Sequence, residues 1–317
     1  MASIRYSLVV PVYRNEASIA ELVETVWRLD DELNGALEAV FVVDGSPDRS
    51  AELLDAALSH ANTKAQLIVL SRNFGSFAAV RAGLEAARGR YFAVMAADLQ
   101  EPESLMVQFF RTLEREPVDV ALGMRTARND PWPSRAGANL FWRLYRTFVQ
   151  REVPPGGIDV FACNAAARDQ LLRLEEANSS LVGQVIWIGF RRKLIPYVRL
   201  PRRHGRSAWT MGRKLRYLVD SVYAFSDLPI RVLTWAGIIG LAASIVLAAA
   251  VTIAKLSGDI PIPGYAATVL TIIFFAALNS FGLGIIGGYT WRAFENTKRR
   301  PQAIVLTQKT FNLESQS

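Results

Sequence analysis

Residues 232–254 contain no charged side chain, and neither do residues 260–291. A hydrocarbon layer of about 30 Å is crossed by about 20 helical residues, so each run is long enough to span a bilayer. A core helix of a water-soluble protein rarely stays charge-free for this length, because one face must meet water. The pattern predicts a two-helix transmembrane hairpin over about 231–254 and 266–291. Neither run is N-terminal and the polar N-terminus has no apolar core, so neither reads as a signal peptide. Arg231 precedes the first run, and Lys298, Arg299 and Arg300 follow the second. The connecting loop, residues 255–265, carries one Lys and one Asp. The positive-inside rule then puts residues 1–230 and a tail of residues 292–317 in the cytoplasm. The formal net charge of +7 suits an anionic membrane surface. With two spans present, nucleic-acid binding is not expected.

The remainder has a different rhythm. Short apolar runs at 7–12, 39–43, 66–70, 91–95 and 118–122 alternate with amphipathic stretches at 19–29, 49–58, 78–87 and 105–114. That alternation predicts an α/β domain with a mostly parallel, Rossmann-like sheet. Ligands of such sheets bind beyond the carboxyl ends of the strands, where Tyr13, Asp44, Asp98 and Arg125 each follow an apolar run. Neither a G-x-G-x-x-G nor a G-x-x-x-x-G-K-[ST] pattern occurs. Residues 134–149 and 212–226 are amphipathic and rich in aromatic residues, Lys and Arg, a pattern that covers a sheet or lies in a membrane interface.

One cysteine, Cys163, and two histidines, His60 and His204, exclude a disulfide framework, a Cys-based zinc site and a multi-His cluster. Any metal would be held by oxygen, which favours Mg²⁺ or Mn²⁺. Asp98 and Gln100 stand two residues apart after a strand; in an extended segment both would point the same way and offer oxygens to one cation. The alternative for Asp98 is to cap a helix starting near Pro102. Asp48 has a similar alternative as cap of the second helix. Arg72, Arg125 and Arg128 lie where strands end and are candidates to hold a phosphate.

The segments Val10-Pro11-Val12-Tyr13, Val43-Asp44-Gly45-Ser46-Pro47-Asp48, Ser71-Arg72-Asn73-Phe74-Gly75 and Ala96-Ala97-Asp98-Leu99-Gln100 occur in this order. They are followed by Gly156-Gly157-Ile158-Asp159, Gly205-Arg206-Ser207-Ala208-Trp209, Phe225-Ser226-Asp227-Leu228-Pro229 and Gly287-Gly288-Tyr289-Thr290-Trp291-Arg292. No one of these is specific, but the ordered set resembles family 2 glycosyltransferases of the GT-A fold. The closer resemblance is to polyprenyl-phosphate glycosyltransferases, the group of dolichyl-phosphate mannose synthase and bacterial undecaprenyl-phosphate glycosyltransferases.

That resemblance implies a cytoplasmic GT-A domain over 1–230, interfacial helices included, followed by the hairpin. It implies inverting transfer of a sugar from a nucleotide sugar, by frequency a UDP-sugar, to polyprenyl phosphate, with Mg²⁺ or Mn²⁺ at Asp98 and Gln100. It places Pro11, Tyr13, Glu16 and Asp44 at the nucleotide. Asp159 falls near the sugar or the acceptor phosphate, and Arg203, Arg206 and Ser207 in a loop closing over the phosphates. It also implies a homotetramer. Low cysteine content and abundant Ala and Arg suit a bacterial inner membrane and undecaprenyl phosphate.

Two positions depart from the family pattern. Ala96 replaces the first Asp of D-x-D, and Val43 the first Asp of D-D-G-S. These departures keep open a catalytically inactive membrane partner or scaffold. A processive polysaccharide synthase is a second alternative, although Gln184-Val185-Ile186-Trp187 is only a near miss for its Q-x-x-R-W.

Overall fold

The structure is a computed structural model that describes residues 3–127, 143, 145–147, 152–154, 157–158, 160–176, 179–202, 211–257 and 264–313. The first half builds strands β1 (Tyr6–Val12), β2 (Leu37–Val43), β3 (Lys64–Leu70), β4 (Tyr91–Val94) and β5 (Val120–Ala127). Between them lie helices α1 (Ile19–Glu32), α2 (Ser50–Ser59), α3 (Ser76–Ala86) and α4 (Glu103–Arg115). Then come β6 (Phe161–Asn164), α5 (Ala165–Leu172), α6 (Leu181–Trp187), β7 (Arg192–Val198) and α7 (Met211–Phe225). Two long helices, α8 (Leu228–Leu256) and α9 (Tyr265–Thr297), precede a final strand, β8 (Val305–Phe311).

All eight strands form one sheet in the order β7-β5-β6-β4-β1-β2-β3-β8. β4, β1, β2 and β3 pair in parallel, as expected. β6 is antiparallel between β4 and β5, and β8 is antiparallel on the outer edge of β3. Strands buried on both faces need apolar side chains throughout, and β2 is buried at all seven positions. Alternate residues feed two cores. Leu8, Val10 and Val12 pack with α1, α2 and α4 on one face, while Val9, Val40 and Val42 pack with α3, α5 and α6 on the other.

α3 approaches the sheet closely at Gly83, where a Cβ would lie 2.3 Å from Val9 Cγ1. α3 and α5 cap each other. Arg81 donates to the carbonyls of Leu171 (2.9 Å) and Leu172 (3.0 Å), and Arg168 to those of Leu84 and Ala87 (3.2 Å each). Each guanidinium thus donates to carbonyls at the other helix's C-terminal end.

α7 lies over the second core. Its Tyr217 stacks on the fully buried Tyr145 at 6.3 Å and shares a 2.7 Å hydrogen bond with Ser180. One face of α7 therefore covers the domain, while Val219 remains 41% exposed. Of the other amphipathic stretch, 134–149, the described residues 143 and 145–147 are helical and the rest lie outside the described residues.

α8 and α9 have 29 and 33 residues, about 43 and 50 Å at 1.5 Å per residue, so both are long and apolar enough to cross a bilayer. At the domain end of α9, Arg292 pairs with Asp220 of α7 at 2.7 Å and stands over the Tyr223 ring. The chain then returns to the sheet as β8. Within the stretch read from sequence as a tail, residues 292–317, α9 runs on to Thr297 and β8 follows. Its seven residues, Val305 to Phe311, pair with the outer edge of β3.

Candidate functional site

The carboxyl ends of β1, β2, β3 and β4 form one rim. The chain turns sharply after β1, with Arg14 at φ +57°, a conformation that costs a non-glycine residue about 1–3 kcal/mol. The turn places Tyr13, half-buried, under the Arg14 guanidinium, 5.4 Å from ring centre. Beyond it, the backbone N–H of Glu16 donates to Asp48 at 3.1 Å, and the Glu16 carboxylate accepts from the N–H of Arg49 at 3.1 Å. These ties frame a cleft of about 390 Å³ lined by Arg14, Asn15, Glu16, Ala17, Ser18, Pro47 and Asp48. Pro11 lies half-buried inside β1 beneath this turn.

Asp48 accepts from Ser46 Oγ at 2.6 Å as well as from the N–H groups of Glu16 and Ser50. Burial works against its charge, but these donors outweigh it and hold its pKa below the usual carboxylate value. It ties two loops together and accepts from the first N–H of α2, but it is not the helix cap: that position is Arg49, without a side-chain cap.

Asp44 is 2% exposed, and its two oxygens accept from the N–H groups of Phe74 (2.7 Å) and Gly75 (2.8 Å). Burial raises its pKa, against those two hydrogen bonds and the nearby Arg72. The residue expected to accept hydrogen bonds from a nucleotide instead spends both oxygens on the loop after β3. Its work is to hold Arg72 and Phe74 against the end of β2. Arg72 is exposed and stacks on Phe74, 3.9 Å from the ring centre.

After β4 the chain does not stay extended. Residues 97–98 form a turn and Leu99 has φ +53°. Asp98 and Gln100 meet all the same, through a partner from far along the chain. Arg202 donates to Asp98 Oδ2 at 2.6 Å and to Gln100 Oε1 at 3.2 Å. Arg199 also donates to Gln100 Oε1. The backbones join here too, with Leu200 N–H on the Gln100 carbonyl at 2.9 Å and Gln100 Nε2 on the Leu200 carbonyl at 3.2 Å. Asp98 does not cap α4, which starts at Glu103 behind Pro102 without a side-chain cap. Ser18 Oγ donates to the Ala97 carbonyl at 3.1 Å and ties this turn to the cleft after β1.

Arg125 was placed after the fifth strand; it lies within β5, half-buried and in register with Tyr197 of β7. Asp159, Arg128, Arg203, Arg206 and Ser207 lie outside the described residues. Gln184 is buried in α6 on Glu176, away from this rim. Arg199 and Arg202 were legible only as members of a basic run; nothing in their spacing points to Asp98, 104 residues earlier.

No group of three or more His, Cys, Asp or Glu stands together among the described residues. Asp98 and Gln100 nevertheless offer two hard oxygens that already converge on one positive group. Such a pair fits Mg²⁺ or Mn²⁺ when phosphate and water supply the other ligands.

The model of the family described as "Glycosyl transferase family 2" matches residues 7–174. The chain is 31% identical to the Bacillus subtilis protein "Uncharacterized glycosyltransferase YkcC", over 98% of this chain and 96% of that one. It is 26% identical to "Bactoprenol glucosyl transferase" of Shigella phage SfV, over 96% of this chain and 99% of that one. Among solved structures, a mannosyltransferase from Pyrobaculum calidifontis in complex with GDP-Man and Mn²⁺ superposes with a TM-score of 0.47 at 15% identity, covering 92% of this chain and 88% of that one. The chain belongs to glycosyl transferase family 2. It is a glycosyltransferase with a GT-A catalytic domain and two long apolar helices near its C-terminus.

Proposed function

We propose that the enzyme transfers a sugar, with inversion, from a nucleotide sugar to polyprenyl phosphate at the cytoplasmic face of a bacterial plasma membrane. A UDP-sugar is the preferred donor. The observation that carries this reading is the joining, in one chain, of an arginine-held oxygen site at the carboxyl edge of the sheet to two bilayer-length helices. The relatives named for bactoprenol transfer, which match nearly end to end, support it.

The chemistry asks little of a general base. A phosphate monoester has a second pKa of about 6, so a lipid phosphate is largely a dianion at neutral pH and is already a nucleophile. Its oxygen attacks the anomeric carbon from the face opposite the departing diphosphate. The protein has to orient the two reactants and stabilise charge on the leaving group. The turn after β1, with Pro11, Tyr13 and Glu16, receives the nucleotide, and Asp44 acts through the loop that carries Arg72. Arg72 and Arg125 neutralise phosphate charge. Asp98 and Gln100 would hold Mg²⁺ or Mn²⁺, which supplies Lewis-acid stabilisation of the diphosphate when bound. Asp159, Arg128, Arg203, Arg206 and Ser207 are assigned to the sugar and phosphates on the family pattern alone. The exposed side of α7 lies in the membrane interface, α8 and α9 anchor the site, and the enzyme works as a homo-oligomer.

The test is incubation of the purified full-length protein in lipid with radiolabelled nucleotide sugars and undecaprenyl phosphate. Labelled monophosphate lipid is expected. A labelled polymer would mean a processive synthase, and no turnover with any donor would leave an inactive partner.

A further inference from the structure

The contact between Asp98, Gln100 and the segment 199–202 has a consequence for how the site loads. The two side-chain oxygens that would face a divalent cation both accept hydrogen bonds from Arg202, and Gln100 Oε1 accepts from Arg199 as well. The Asp98 and Arg202 side chains are only 15% and 26% exposed, so water screens the pair weakly. A divalent cation on these oxygens would stand at contact distance from the guanidinium, and like charges so placed repel strongly in a partly buried site. The D-x-D position that would supply a second carboxylate is Ala96. The cation therefore has no other acid of that motif to bind while Arg202 stays in place.

We propose that Arg202 is a built-in surrogate cation. In the ligand-free enzyme it occupies Asp98 and Gln100 and closes the site. A divalent cation gains those oxygens only when a nucleoside diphosphate offers the guanidinium better acceptors and draws Arg202 away. The exchange is chemically natural, because a guanidinium binds diphosphate oxygens in the same forked geometry as a carboxylate. Arg199 is the second half of the latch, since it holds Gln100 and anchors the segment that carries Arg202. Diphosphate and cation then arrive as a pair, and neither the free cation nor an unliganded open site persists. This inference rests on the reading of Asp98 and Gln100 as the cation's ligands.

The test measures Mn²⁺ binding by electron paramagnetic resonance on the full-length protein in detergent, with and without UDP, checking each variant's fold by thermal unfolding. Wild-type protein is expected to bind Mn²⁺ weakly alone and readily with UDP. Arg202→Gln should bind Mn²⁺ alone about tenfold more tightly than wild type or better. Adding Asp98→Asn to it should abolish that gain. Arg199→Gln should give a smaller gain, and Arg202→Lys, which keeps the charge, should remain closed. These two variants carry the test if Arg202→Gln does not fold. Equal Mn²⁺ affinity of wild type and Arg202→Gln without nucleotide would overturn the latch and leave the cation site standing. Absence of Mn²⁺ binding in every protein, UDP present, would overturn both.

Discussion

Gly45 is where the loops after β2 and β3 touch, and replacing it with alanine should damage stability and, at the proposed nucleotide site, donor binding. Its φ is +54°, which an L-residue adopts at a cost of about 1–2 kcal/mol. A Cβ there would stand 2.2 Å from the Arg72 carbonyl carbon, 2.4 Å from the Asn73 nitrogen and 2.6 Å from Arg72 Cα. All three are backbone atoms, so no side chain can swing aside. The loop after β3 must move, at an overpacking cost of about 1–3 kcal/mol. Moving it stretches the bonds from Phe74 and Gly75 to the Asp44 carboxylate, leaving a buried acid with poorer partners. The total is about 2–5 kcal/mol, which for a catalytic domain of this size lowers the unfolding temperature by about 4–20 °C. Differential scanning fluorimetry in detergent measures the shift, and the donor KM should rise because Arg72 rides on the displaced loop. A Gly45→Ala protein that unfolds within about 2 °C of wild type, with an unchanged donor KM, would refute the argument that this contact sets the rim.

Asp98→Asn should lower transfer by at least about a hundredfold, the scale of losing one preorganised charge-stabilising group, with the thermal unfolding profile retained. Gly83→Val should cost about 1–3 kcal/mol by forcing α3 off Val9 and Val42, read as a lower unfolding midpoint in denaturant. Asp48 has a lowered pKa in the folded protein, so its stabilisation is complete above the unfolded value of 3.8 and is lost as pH falls through the folded value. Asp48→Asn should accordingly be less stable than wild type near neutrality, and the gap should close as pH falls through the folded value, below 3.8. A double-mutant cycle of Asp220→Asn and Arg292→Gln should give a coupling of about 0.5–2 kcal/mol in thermal unfolding, because the pair joins α7 to α9.

The parts legible in the sequence are those where one physical pressure acts alone. β1 to β4 are buried on both faces, so their apolar runs stand out and the expected ranges match within about two residues. α8 and α9 are legible because each carries a charge-free run long enough to cross a bilayer. β7 and β8 were not read as strands. Both are edge strands with one flank and much of their surface open, so polar side chains interrupt the pattern. β6 has four residues, too few to carry a period. At the site, the turn residues Tyr13, Asp44 and Asp98 were found because they follow strands. Asp44's inward turn was not, since nothing local says whether an acid at a strand end meets a ligand or the next loop's N–H groups. The Arg202 contact is longer-range still, set by where β7 ends relative to β4.

β8, one of the strands not read from sequence, constrains how the enzyme can sit on a bilayer. β8 pairs with β3 over six residue pairs, in the same sheet that β1 begins. The chain between these strands includes both apolar helices. A sheet cannot be divided by a membrane, so any crossing by α8 must be undone by α9. The domain-side ends of the hairpin are fastened to the domain, through Arg292 on Asp220 and through Tyr289 Oη on the Ser226 carbonyl at 3.3 Å. Lys298 and the flanking Arg299 and Arg300 lie at this same end, where the positive-inside rule wants them. Topology, ion pairing and charge bias thus agree on one side for the sheet, the side on which the proposed lipid-phosphate acceptor would be met.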